Sequence, residues 1–263
     1  MAYKAMGFDI RDNVAWITFN RPEAFNAINS QATNEFYDIV NRCSVDRSVR
    51  AVVLTGSGDR AFCAGGDVAE FAESGDKVES LIMEMTGVLH VGISRLAWLR
   101  APVIAAVNGV AAGAGLSFAA CCDLAIAADN AKFTSAYTQI GLTPDGSSTF
   151  FLNRLLGRRR VMELYMTNRV LSAQEALDWG LVNRVVPAAE LMTEVTALAN
   201  KLAQGPTRAY AGVKKLVMMS PNDTLESQME RETRVIAEMS TTKDAREGIS
   251  AFVAKRKPNF IGE

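Results

Sequence analysis

Histidine is nearly absent from this chain: one, His90, stands in 263 residues. A zinc or iron site built on imidazole ligands is therefore not expected. Cysteine is scarce too. Cys43, Cys63, Cys121 and Cys122 show no C-x-x-C spacing and read as buried, reduced thiols rather than a disulfide framework or a metal knuckle. There is no excess charge and no basic tract: the formal net charge is −1, which argues against nucleic acid as a partner. Long hydrophobic runs are missing, since every apolar stretch is broken by Gly, Asn, Asp or Arg, so no membrane insertion is expected. The segment Met1 to Asp12 has no signal-peptide h-region. From these absences a cytoplasmic, metal-free protein is expected.

What is present is apolar substance, 49% of the residues, enough for one large core plus an appendage. Strands are expected at Val14 to Phe19, Ala51 to Thr55, Val103 to Val107, Leu124 to Ala127, Lys132 to Thr134 and Val182 to Val186. Helical periodicity marks Ser30 to Cys43 and Lys77 to Trp98, and Ala114 to Cys121 suits a helix of small apolar residues. Ser172-Ala173-Gln174-Glu175 is a capping box, and Gly180 ends the helix it opens. Beyond Ala188 only amphipathic helices follow: Leu191 to Leu202, Pro206 to Met218, Thr224 to Met239 and Lys243 to Ala254. The order implies an α/β core over residues 1–190 and a helical region over 191–263.

Two turns of small residues stand out. The first, Ala61-Phe62-Cys63-Ala64-Gly65-Gly66-Asp67, follows the strand Ala51 to Thr55; the second, Asn108-Gly109-Val110-Ala111-Ala112-Gly113-Ala114-Gly115, follows Val103 to Val107. Small residues let a ligand approach the backbone and leave peptide N–H groups free to point at it. Two such groups aimed at one point would trap an anion, such as the oxyanion of an activated carbonyl. The plain alternative is a pair of tight strand-to-helix connections. A phosphate loop is disfavoured, because neither G-x-G-x-x-G nor G-x-x-x-x-G-K-[ST] is present.

With these turns in place the chain resembles the crotonase, or enoyl-CoA hydratase/isomerase, superfamily. The resemblance runs from Asn20-Arg21-Pro22-Glu23-Ala24-Phe25-Asn26-Ala27 through both turns, Cys122-Asp123-Leu124 and Ala176 to Val182, and closes at Ala251 to Pro258. It implies a spiral of ββα units with a C-terminal helical trimerisation region, and a homotrimer or dimer of trimers. The implied substrate is an acyl-CoA thioester. Its carbonyl would be held by the N–H groups of Gly66 and Ala114, each typically worth about 10²–10³ in rate. Coenzyme A enters as part of the substrate, so no separate cofactor is expected. Ala24, Ala27, Ala64, Gly65 and Asp67 would line the coenzyme A site. Phe252 and Lys255 match positions that in relatives reach a neighbouring subunit's coenzyme A; a solvated tail helix is the alternative.

The chain departs from the hydratase pattern where the chemistry is decided. Family hydratases hold the attacking water with two glutamates; Ser117 and Tyr137 stand at those positions, and neither is an acid. Asp145, in Thr143-Pro144-Asp145-Gly146, matches a catalytic aspartate of family isomerases and of the aromatic-acyl dehalogenases, though a turn role after Pro144 would also explain it. One buried carboxylate beside an oxyanion hole can carry a proton from one carbon to another. His90, flanked on its helix by Leu89 and Ile93, reads as a packed residue, or as an accessory like the dehalogenases' histidine. Tyr137 could hydrogen-bond Asp145 or wall the acyl pocket. Ser117 lacks the G-x-S-x-G elbow of a serine hydrolase and reads as a small residue facing the acyl pocket. The expected function is a double-bond isomerase. The alternatives are a hydratase with a non-standard acid/base set, a 4-chlorobenzoyl-CoA-type dehalogenase, and a non-catalytic acyl-CoA-binding protein.

Overall fold

The computed structural model describes residues 3–263, so the first two residues of the segment read against a signal peptide lie outside it. Its elements, in chain order, are β1 (Met6–Arg11), β2 (Val14–Phe19), α1 (Ser30–Val45), β3 (Ala51–Gly56), β4 (Ala61–Cys63), α2 (Val68–Glu73), α3 (Val78–Ala97), β5 (Val103–Val107), β6 (Val110–Ala112) and α4 (Ala114–Cys121). There follow β7 (Leu124–Ala128), β8 (Lys132–Thr134), α5 (Ser148–Leu156), α6 (Arg158–Thr167), β9 (Leu171–Ser172), α7 (Ala173–Trp179), β10 (Arg184–Val186), α8 (Leu191–Ala203), α9 (Thr207–Met219), α10 (Leu225–Ser240) and α11 (Lys243–Val253).

A six-stranded sheet runs β1-β2-β3-β5-β7-β10, with only β1 antiparallel to its neighbour. A four-stranded sheet, β4-β6-β8-β9, lies beside it. Three strands of the large sheet are each followed directly by a strand of the small one: β3 by β4, β5 by β6, β7 by β8. This is the ββ repeat of the expected spiral. Parallel strands must be covered on both faces, which explains why β3 and β5 are buried at every residue and read as continuous apolar runs.

One face of the large sheet packs on a core of interlocking rings. Phe118 of α4 sits 4.9 Å from Phe19 and 5.0 Å from Phe36, with the Phe62 ring edge-on to Phe19 at 5.3 Å. On the other face Val14, Val53, Ile104 and Ile126 meet Leu191, Val195, Ala199 and Ala203 of α8. The helical region beyond 190 therefore begins as a cover for the sheet. Helices α9 to α11 carry exposed apolar side chains instead, among them Val217, Leu225, Ile236, Ile249 and Phe252.

Most expected elements lie where periodicity put them, and the Ser172–Glu175 capping box forms reciprocally. Helix α1 begins at Ser30 as expected, with Asn29 as its cap: the Asn29 side chain accepts from the Ala32 N–H at 2.9 Å. The strand expected from Val182 begins at Arg184. All four cysteines are unpaired; Cys43, Cys63 and Cys121 are buried and Cys122 is half-buried. Burial pushes the Cys43 and Cys63 thiols up to about 12. None of the helices among the described residues is long and apolar enough to cross a membrane.

Helix α4 is buried at all eight residues, which is why it is apolar on every side. Its second residue must be glycine, because a Cβ at Gly115 would overlap the carbonyl oxygen of Cys63. The obstacle is backbone in a paired strand and cannot swing aside. Gly115→Ala is therefore expected to lower stability by about 2 kcal/mol or more, read as a drop in the denaturant midpoint.

Candidate active site

The two small-residue turns meet backbone to backbone. Gly65 has φ +103, and a Cβ on it would lie 3.1 Å from the Ala112 oxygen and 3.3 Å from the Ala114 nitrogen. Gly113 turns through φ 52 and ψ −123, a conformation reserved for glycine, and starts α4 at Ala114. Short parallel pairing of β4 with β6 holds the two turns in register.

This arrangement leaves two N–H groups unused. Ile28 bridges the first turn by donating to the Gly65 oxygen at 2.7 Å and accepting from the Asp67 N–H at 2.9 Å. In a parallel bridge the residue between those partners, Gly66, aims its own N–H the opposite way. Ala114 is the first residue of a helix, where the N–H has no intrahelical acceptor. Both residues line one cavity of about 380 Å³. Among the described residues neither N–H has a protein acceptor. They sit at the positive end of α4, so they can receive a developing negative charge.

The cavity is walled by apolar side chains, including Val68, Phe71, Ile82, Met85 and Leu89. Asp145 is the one charged side chain lining it among the described residues. Three neighbours hold this residue. The Tyr137 hydroxyl donates to Asp145 Oδ1 at 2.7 Å, the Ser117 hydroxyl donates to the Asp145 carbonyl at 3.0 Å, and His90 Nε2 lies 3.2 Å from Oδ2. Burial, reinforced by the adjacent carboxylate, pushes the Tyr137 hydroxyl well above its ordinary range, so it remains a donor.

The structure brings some of the expected site residues together and corrects the reading of others. Gly66, Ala114, Tyr137, Asp145, Ala64 and Gly65 come together around the cavity. Tyr137 does both things left open for it: it walls the cavity and bonds Asp145. Ser117, expected to face an acyl pocket, does not line the cavity; α4 points its hydroxyl at the Asp145 backbone and at Tyr137. None of its hydrogen bonds reaches His90, so no serine-hydrolase relay is assembled. His90 is not packed in the core, because its side chain is 48% exposed on the outer flank of α3. Asp145 is half-buried rather than buried, since it borders the cavity.

The residues expected to line the coenzyme A site divide. Ala24 and Ala27 lie in a loop tied to the first turn, with Ala64 N–H donating to the Phe25 oxygen at 3.0 Å. The Asp67 carboxylate is committed elsewhere: it accepts from Arg21 Nη1 at 2.7 Å and caps α2 through the N–H groups of Ala69 and Glu70. Phe252 and Lys255 are exposed, away from the cavity of their own chain. Asn26 was not singled out by sequence. Fully buried, it donates from Nδ2 to the Ser57 and Ala61 oxygens at 3.0 and 2.7 Å and accepts from the Arg21 N–H at 3.0 Å, which fixes the loop against β4. Its place in the motif after Phe25 was the one signal available.

A family model for enoyl-CoA hydratase/isomerase matches residues 9–263. A probable enoyl-CoA hydratase of Rhodobacter capsulatus is 38% identical over 262 residues, covering 100% of both chains. The 1,2-epoxyphenylacetyl-CoA isomerase of Escherichia coli is 36% identical over 255 residues, 97% of each. Among solved structures, a putative enoyl-CoA hydratase/isomerase from Mycobacterium abscessus superposes with a TM-score of 0.94 at 32% identity, covering 98% of this chain and 100% of that one. Given the ββ spiral, the paired turns and these likenesses, the chain belongs to the enoyl-CoA hydratase/isomerase family.

Proposed function

We propose that the protein is an acyl-CoA double-bond isomerase in which Asp145 moves the proton. The observation that carries this reading is a single carboxylate, oriented by Tyr137, in a cavity that also presents two unused N–H groups. A 3-enoyl thioester would place its carbonyl oxygen on the N–H groups of Gly66 and Ala114. Asp145 then takes a proton from C2, the charge spreads to the thioester oxygen, and the same carboxyl returns a proton to C4. Atoms balance without water or any added cofactor. The Escherichia coli relative is named an isomerase of an epoxide, 1,2-epoxyphenylacetyl-CoA, while other relatives are named hydratases.

Hydration by Asp145 alone is the closest rival, and the hydroxyls of Ser117 and Tyr137 weigh against it. Neither can act as the second carboxylate of a water-adding pair, and both are spent on Asp145. Coenzyme A would run along Ala24, Ala27, Ala64, Gly65 and the backbone at Asp67. Phe252 and Lys255 would reach a neighbouring subunit's coenzyme A in a homotrimer or dimer of trimers. The exposed apolar side chains of α9 to α11 suit such an assembly.

Purified protein offered 3-enoyl-, 2-enoyl- and aryl-CoA thioesters separates the readings by product mass. An isomerase converts the 3-enoyl thioester with no change of mass. A hydratase adds one water to the 2-enoyl thioester, a dehalogenase exchanges halide for hydroxyl, and a binding protein turns over none. Addition of water alone would refute the isomerase assignment.

A further inference from the structure

The Asp145 carboxylate stands between two cavities. Its own side chain lines the first, whereas His90 lines a second, of about 520 Å³, bounded by Trp98 just after α3, Phe150 and Phe151 of α5, and Met218 of α9. The two carboxylate oxygens have different neighbours, Tyr137 on Oδ1 and His90 on Oδ2. An acyl group filling the first cavity covers the face of Asp145 that borders it. The polar contact that still leads outward is then Oδ2 to His90, whose ring is half in solvent.

His90 Nε2 is placed to hold a proton in two ways. The Gly146 N–H is aimed at the same nitrogen, also at 3.2 Å. A bare Nε2 has one lone pair, on which the Gly146 N–H and a protonated Asp145 alternate as donors. A protonated Nε2 instead donates to an ionised Asp145, and the Gly146 N–H gives up its acceptor. Shifting the proton across the pair therefore exchanges hydrogen bonds without moving the backbone. The one carboxylate that lines the second cavity among the described residues, Asp223, is held by Arg231 at 2.7 and 3.2 Å, which keeps it ionised and below its ordinary range. It does not compete for the proton.

We propose that His90 is the route by which the proton held on Asp145 between its two transfers exchanges with solvent. The proposal rests on Asp145 being the proton shuttle. The proton passes from Asp145 Oδ2 to His90 Nε2, and the imidazolium so formed releases its Nδ1 proton to water in the second cavity. The reverse sequence delivers a solvent proton to Asp145, which then reaches C4 of the product. His90 touches neither substrate nor reacting carbon; it acts through Asp145 and sets how often a substrate proton is lost before it is returned.

The test is isomerisation of 3-hexenoyl-CoA in D₂O at low conversion, with deuterium at C4 of the 2-enoyl product read by mass spectrometry and NMR. Wild-type protein is expected to incorporate deuterium into a measurable share of the product. His90→Gln keeps a hydrogen-bonding side chain on an exposed helix flank. It should cut incorporation per turnover at least about fivefold, with the isomerisation rate changed less than about tenfold. His90→Asn should behave alike. Equal incorporation in wild type and variants, or none in wild type, overturns the relay while leaving Asp145 as the shuttle. No isomerisation by wild-type protein overturns the shuttle itself, and the relay with it.

Discussion

Asp145→Asn should abolish most isomerase turnover, by about 10²–10⁴-fold, while acyl-CoA still binds. The substitution is isosteric. The Tyr137 hydroxyl can still donate to the amide oxygen, and the Ser117 hydroxyl still meets the residue 145 carbonyl, which the side chain does not alter. Neither the paired turns nor the cavity wall depends on the charge. What the amide lacks is a lone pair basic enough to remove a proton from carbon. The loss should fall in kcat, with binding of a saturated acyl-CoA, measured by calorimetry, within a few-fold of wild type. A variant that keeps full turnover would show that another group is the base.

Ala114→Pro is expected to lower kcat/KM by about 10²–10³ and leave the fold standing. Ala114 is the first residue of α4, the helix position where proline fits best, because its N–H has no partner within the helix. The residue before it, Gly113, sits at φ 52 and ψ −123, the mirror image of the extended conformation that precedes proline. The substitution therefore removes one donor from the oxyanion site and puts a methylene in its place. Turnover by the variant shows what the donor contributes; thermal melting, expected within about 1 kcal/mol of wild type, shows that the helix survives. Unchanged turnover would mean that the thioester oxygen rests elsewhere.

The large sheet is legible in the sequence because its central strands are buried on both faces and appear as unbroken apolar runs, Ala51 to Thr55 and Val103 to Val107. The small sheet is legible only at β8, where a strand was expected at Lys132 to Thr134. Strands β4 and β6 have three residues each, too few for a period, and they lie inside segments that read as turns. The same holds for β1, α2 and α5, whose patterns are short or mixed. The two turns were legible because small residues are required where two backbones touch, as at Gly65, Gly113 and Gly115; Gly66 and Ala114 were singled out within them only through the family resemblance.

The electrostatic partners of Asp145 were less so. Ser117 is 28 residues and His90 55 residues away from it in sequence. Whether a hydroxyl on α4 faces a pocket or a backbone carbonyl depends on the rotation of that helix, fixed by Gly115 against Cys63 and by Phe118 against Phe19 and Phe36. The exposure of His90 follows in turn from Leu89 and Ile93 taking the inward positions of α3. Such facts arise from packing and have no local signal.

The central claim is that one carboxylate moves a proton across an activated thioester and does not add water to it. Proton NMR of 3-hexenoyl-CoA and 2-hexenoyl-CoA, each mixed with wild-type protein in separate tubes, tests this most directly. The 3-enoyl sample should lose its C2 methylene signal and gain conjugated vinyl signals, while the 2-enoyl sample forms 3-hydroxyacyl thioester far more slowly. Rapid formation of the 3-hydroxyacyl product from the 2-enoyl thioester, with the 3-enoyl thioester left untouched, would contradict it.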